Sequence, residues 1–249
     1  MFRFFRAIRS KLLSSGKISN YLAYAVGEII LVVIGILIAL QINNLNNDWK
    51  DRRKEAAYLK EIRSNLVQDS ISLQGVITFN KMKSQVVKNL MSIYADTMSN
   101  QERFQIFTDN SHKFVNYDMF VPVNTGFSNL LSAESIDLIR DDSLKIQLTD
   151  YYNYDFEGGI QERIIQMNRK VSDNYYYRFM TREYVQQLVN ISTEFDSVED
   201  LDIHKDRSLF SELYGIQYII RLQDNLMRIT LEKNALLRKS IGFRIDHTK

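Results

Sequence analysis

Apolar positions in this 249-residue chain fall into two regimes, one continuous run and several long stretches at helical spacing. From Tyr21 to Ile42 the sequence reads YLAYAVGEIILVVIGILIALQI, in which only Glu28 and Gln41 are strongly polar. As a helix this segment extends roughly 33 Å at ~1.5 Å per residue, enough to cross a hydrocarbon core of about 30 Å. A cleaved leader should have a shorter apolar core ending at small residues, whereas this one runs into QINNLNND. The pattern therefore predicts a retained signal anchor.

Beyond the span the spacing is that of amphipathic helices. Leu45, Trp49, Ala56, Leu59, Ile62, Leu66, Leu73, Val76, Ile77, Val86, Val87, Leu90 and Ile93 predict one long helix to about Ala95, with Gly75 the place for a kink. Ser99 and Glu102 form a capping-box pattern for a helix over about 100–113. Asn124 or Thr125 can cap a short helix containing Phe127, Leu130 and Leu131, and a second short helix through Ile136, Leu138 and Ile139 ends at Asp141 and Asp142. A run from Leu144 to Phe179 is expected to bend at Gly158-Gly159, and residues around 190–206 form a connection. The last helix should cover Arg207–Ser240, burying Leu209, Leu213, Ile216, Ile219, Leu222, Leu226, Ile229 and Leu236. The fold class predicted is all-α: an N-terminal transmembrane helix continuing into a stalk and an elongated four-helix-type bundle.

Composition narrows the class further. One proline, nine glycines and no cysteine exclude collagen-like and disulfide-framed classes, thiolate zinc sites and a cysteine nucleophile. The net charge of +2 hides an uneven distribution. Arg3, Arg6, Arg9, Lys11 and Lys17 stand in the first twenty residues without an acid, so the remaining 229 sum to −3, 27 basic against 30 acidic. With Phe2, Phe4, Phe5, Ile8, Leu12 and Leu13 between them, these cations suit a tip lying against anionic lipid. Lys50, Arg52, Arg53, Lys54 and Lys60 match them in number on the far side, but the N-terminal group is undiluted by acids, which favours a cytoplasmic N-terminus. The expected domains are a basic amphipathic cytoplasmic tip (1–20), a transmembrane helix (21–42) and an extracytoplasmic helical bundle (43–249), with Trp49 as an interfacial anchor.

Within the span, Tyr21, Ala25, Glu28, Val32, Gly35, Ala39 and Ile42 form one stripe. Small residues let a second helix approach, and a carboxyl group in such an interface finds a partner there. Ala25, Glu28, Val32, Gly35 and Ala39 are thus the candidate interaction face, for a second copy or another membrane protein. A proton-responsive Glu28 is the sharper alternative. The clusters Tyr151, Tyr152, Tyr154 and Tyr175, Tyr176, Tyr177 are a candidate partner surface, or else half-buried bundle positions. His112, His204 and His247 lie far apart in polar settings, and no motif of known catalytic mechanism is present. The expectation is a non-enzymatic interaction or scaffold protein without cofactor, metal or nucleic-acid partner, its partners being the lipid bilayer and a second copy or another membrane protein. A sensor-type helical module and an accessory subunit of a transport or secretion assembly using Glu28 are the alternatives.

The stretch from Gly27 to Asn44, preceded by FFRAIRSKLL, resembles the signature of a domain-of-unknown-function family of single-pass inner-membrane proteins abundant in the Bacteroidetes. A second block, Pro122, Asn124, Thr125, Phe127, Leu130, Leu131, Ile139, Leu144, Leu148, Tyr151 and Tyr152, is similar to that family's middle motif. Two positions depart from it. Leu45 stands where relatives tend to carry tryptophan, and Ser132-Ala133-Glu134 replaces a Ser-Ser-Gly-like turn, removing the glycine that a left-handed turn would use. The resemblance implies a bacterial inner-membrane protein and carries no established activity.

Overall fold

The computed structural model describes residues 18–175 and 180–246. The chain is all-α, with no strand among the described residues. Helix α1 runs from Ile18 to Ser92, unbroken through Gly75. It contributes to two compact units, Met1–Glu55 and Ala56–Lys249. In the second unit it is joined by α2 (Asn100–Phe114), α3 (Thr125–Ser132), α4 (Asp142–Tyr152), α5 (Gly159–Tyr175), α6 (Arg182–Val189) and α7 (Arg207–Asp246), with short 3-10 turns between them.

Two apolar layers hold this second unit together. One joins Leu59, Ile62, Leu66, Leu73 and Val76 of α1 to α3, α4 and the end of α7, through Phe127, Leu130, Leu144, Leu148, Met227, Leu237 and Ile241. The other joins Val87, Leu90 and Ile93 to Phe107, Phe114, Val171 and the start of α7. Each fully buried aliphatic side chain contributes about 1.5–3 kcal/mol, so contacts distant in sequence, not helix propensity, set the arrangement.

Local signals fared unevenly. Ser99 and Glu102 form the expected capping box, Ser99 N–H donating to Glu102 Oε2 at 2.8 Å. The second short helix reduces to a 3-10 turn, Ile136–Leu138. Asp141 and Asp142 do not end it but start α4, Asp141 Oδ1 accepting the Leu144 N–H at 3.0 Å. The run from Leu144 is broken, not bent: α4 stops at Tyr152, and α5 begins at Gly159, whose φ of +59° lies outside the helical region. Tyr176, Tyr177 and Phe179 lie outside the described residues.

The buried face of α7 also differs from expectation. Leu222 and Leu226 are half-buried, while Ile229 and Leu236 are 43% and 62% exposed. Gln223, Met227, Thr230, Asn234, Leu237 and Ile241 point inward instead. The polar members are accommodated because each finds a partner: Gln223 Nε2 donates to Asp118 O at 3.0 Å, Thr230 Oγ1 to Leu226 O at 2.8 Å and Asn234 Nδ2 to Leu66 O at 2.8 Å.

The turn after α3 survives without its glycine. Glu134 takes φ +50°, its N–H donating to Leu131 O at 2.9 Å while Ser135 N–H donates to Leu130 O at 3.0 Å, a Schellman ending. A side chain in this left-handed region is strained by about 1–2 kcal/mol. Glu134→Gly is therefore expected to raise stability by about 1 kcal/mol, read as a higher urea midpoint with unchanged slope; a lower midpoint would show that the Glu134 side chain contributes more than the strain costs.

Candidate functional site

In the first unit, α1 has no cover from other described residues over most of its length. Every residue from Ile29 to Asn47 is exposed, including Leu31 at 71%, while Ala25 and Glu28 are half-buried. Of the candidate face, Val32, Gly35 and Ala39 are thus open. A Cβ added at Gly35 would meet nothing within 4 Å, so nothing among the described residues demands a glycine there. Arg53 lies over the Trp49 ring, 4.7 Å from its centroid. Arg3, Arg6, Arg9, Lys11 and Lys17 lie outside the described residues.

In the second unit the polar chemistry is internal. Asn65 and Asp69, one turn apart on α1, hold the segment around Pro122 against the helix. Asn65 Oδ1 accepts from Gly126 N–H at 2.8 Å and from Thr125 Oγ1 at 3.2 Å. The cap for α3 therefore comes from α1, across 61 positions, and not from Asn124, whose side chain makes no capping bond. The approach is close: a Cβ at Gly126 would lie 2.9 Å from both Asn65 Oδ1 and Ile62 N. Asp69, 0% exposed, accepts Val123 N–H at 2.7 Å and Tyr151 O–H at 3.0 Å. Asn234 Nδ2 reaches the Tyr151 hydroxyl at 3.3 Å, and Arg238 Nε donates to Asn234 Oδ1 at 2.9 Å. Burial pushes the Asp69 carboxyl up to about 6, opposed by the two donors. Burial also raises the Tyr151 and Tyr152 hydroxyls.

A further polar group lies where α1 passes from one apolar layer to the other. Gln161, fully buried, pairs with the backbone of Phe120 in both directions at 2.8 Å and donates to Phe156 O. Gln223 Nε2 adds a contact to Gln161 Oε1 at 3.2 Å. Lys83, 3% exposed, donates to Asn168 Oδ1 at 2.9 Å and to Asn116 O. Burial alone lowers the Lys83 ammonium to about 7. One turn before it, Asn80 Nδ2 is buried without a partner among the described residues.

The tyrosine cluster at the end of α4 and just beyond it is thus divided. Tyr151 is 4% exposed and belongs to the core, Tyr152 is half-buried and stacked on Phe127 at 4.9 Å, and Tyr154 faces solvent at 48%. Tyr175 ends α5. Asn65, Asp69, Lys83, Gln161, Gln223 and Asn234 were not among the candidate residues; the only sequence signal was a polar residue on an otherwise apolar helix face. Near α6, burial would raise the Glu183 carboxyl, but the Arg182 guanidinium at 2.9 Å and the Val198 N–H at 3.0 Å bring it down to about 2, clasping the base of the 182–198 excursion. Among the described residues no group of three or more His, Cys, Asp or Glu side chains could hold a metal ion.

These features define an all-α protein that combines a helix long and apolar enough to cross a membrane with a helical domain knit by buried amides and buried ionisable groups, Asp69 and Lys83 among them. Residues 28–163 match a family of unknown function, DUF6090, over more than half of the chain, and the chain belongs to that family. The match takes in the apolar segment from Glu28 onward, Asn65, Asp69 and the loop they hold, and ends within α5, so that α6 and α7 lie beyond it. No curated protein and no solved structure matches the chain.

Proposed function

We propose that this protein is a membrane-anchored, non-enzymatic interaction protein of the bacterial inner membrane. Residues 21–42 span the bilayer once, the basic tip (1–20) stays in the cytoplasm, and the helical domain within 43–249 is presented on the periplasmic side. The anchor associates through Ala25, Glu28, Val32, Gly35 and Ala39, with a second copy or with another membrane protein. One observation carries this reading: the apolar side chains from Ile29 to Ile42 are exposed on all sides of α1. In water each would forgo about 1.5–3 kcal/mol, whereas lipid accepts them without a protein partner. The alternative of a sensor-type module draws on Asp69 and Lys83, buried groups that titrate close to neutrality.

Alkaline carbonate extraction of native membranes tests the anchor. The protein is expected to stay in the pellet at full-length mass, and protease added to spheroplasts is expected to degrade the domain while sparing the tip. Release into the supernatant, or loss of the first forty residues by processing, would remove the anchor reading.

A further inference from the structure

The part of α1 inside the second unit has an outer face that the described residues leave uncovered. Val67 is 42% exposed, Ile71 67% and Met82 59%, with Gln74, Gly75 and Thr78 exposed between them. Positions 67, 71, 74 and 78 follow the four-three-four spacing of a coiled-coil seam, and the inward face of the same helix, Leu66, Asp69, Leu73 and Val76, lies opposite. Between Arg63 and Lys81 the only charged residue is Asp69, which is inside. In a chain that is 25% charged, seventeen successive residues would ordinarily carry about four charges, and an exposed helix keeps them on its wet side. The outer side of α7 does so, with Arg221, Arg228, Glu232 and Lys239 among its exposed apolar residues. From Val67 to Thr78 the α1 face exposes none, and Lys81 stands at its C-terminal margin beside Met82.

Gly75 is a second, independent sign. Glycine inside a helix costs about 0.5–1 kcal/mol relative to alanine, and a Cβ at this position would meet nothing within 4 Å. No neighbour among the described residues requires its smallness, whereas a second helix backbone approaching from outside would.

We propose that this face is an interface with a second copy of the same chain, α1 pairing with α1 in parallel. Between Val67 and Thr78 the two identical faces meet without like-charge repulsion, with Lys81 left at the margin where its ammonium can turn to water, and this uncharged stretch offers nothing by which a charged partner could be selected. Covering it in both copies removes on the order of 1,000 Å2 from water, the lower bound for a specific interface. Tethering supplies the rest, because copies held in one membrane share orientation and height, which raises their effective concentration. That last step rests on the anchor reading; the face itself does not. Gln74 in the seam would fix the register, as a polar residue does at such a position.

The chain has no cysteine, so single replacements report proximity directly. Full-length Ile71→Cys, Gln74→Cys and Thr78→Cys, oxidised in native membranes, are expected to give disulfide-linked dimers at least fivefold above Ser72→Cys and Lys88→Cys, which are exposed on other sides of the helix. Gly35→Cys reports the anchor separately. Dimers at Gly35→Cys with none at the three seam positions would overturn this proposal and leave the anchor reading intact. Seam dimers in a protein recovered from the soluble fraction would do the reverse. Equal crosslinking at all five positions of the second unit, or a crosslinked product with the mass of a different protein, would also overturn it. Ile71→Lys leaves the fold in place, since the side chain is exposed, and is expected to lower the dimer fraction about tenfold; an unchanged fraction would count against the interface.

Discussion

Asp69→Leu is expected to destabilise the helical domain by about 4 kcal/mol, measured by urea unfolding of the full chain in mild detergent. The substitution leaves two buried donors, the Val123 N–H and the Tyr151 hydroxyl, without their acceptor, at roughly 1–3 kcal/mol each, and loosens the loop that α1 holds. Asp69→Asn keeps an acceptor oxygen, and a tyrosine hydroxyl can accept from the new amide, so its cost should be about half or less. The carboxyl also leaves a pH signature. Its value in the folded chain, about 6, lies above the ordinary 3.8, so the folded state holds the proton more tightly. Its favourable contribution is complete below about pH 4 and is lost as pH rises through 6. Subtracting the profile of Asp69→Asn should therefore reveal a fall between pH 4 and 6. A Leu variant within 0.5 kcal/mol of the parent would show that the Asp69 contacts do not hold the domain.

Lys83 gives the opposite slope on the alkaline side. Its ammonium titrates near 7 in the folded chain and near 10.5 in the unfolded one. Between these values the unfolded state binds a proton that the folded state does not, and stability rises with pH by up to about 1.4 kcal/mol per unit. Below 7 the full cost of burying the charge is present, and it is relieved as pH approaches 10.5. Lys83→Met removes this titration, whatever offset it introduces by leaving Asn116 O and Asn168 Oδ1 without their donor. The parent should gain on the variant by roughly 4 kcal/mol over this range. A difference that stays flat from pH 7 to 10 would mean that Lys83 keeps its ordinary basicity. Taken together, the two groups burden the domain most between pH 6 and 7, where many domains are at their most stable.

The long helices were legible, because apolar and polar residues at helical spacing report which sides of a segment differ in environment, whereas the short Arg182–Val189 helix was not anticipated and the run from Leu144 proved to be two helices. The capping box at Ser99 was legible for the same local reason: donor and acceptor are three residues apart. Where the acceptor lies on another element, the local rule pointed to the wrong residue. Asn124 has the chemistry of a cap and sits at the cap position, yet Asn65 satisfies the first turn of α3. Glu134 shows the converse, a left-handed turn kept by two backbone hydrogen bonds and the burial of Leu130 although the glycine that would ease it is absent. The tyrosine pattern could not separate a surface from a core, since Tyr151 and Tyr154 differ only in which side of the chain meets Asp69.

The amino-acid sequence by itself determined the all-α class, the apolar helix near the N-terminus and the family, because each depends on composition and short-range spacing. The tertiary structure alone decided that Gln161, Gln223 and Asn234 face inward, that Asp69 and Lys83 are buried, and that the outer side of α1 near Gly75 is bare. The physical reason is the same for all of these. A buried polar group is stable only if it finds partners, here arriving from as far as 168 positions away, and a bare face is recognised only once every other element has been placed.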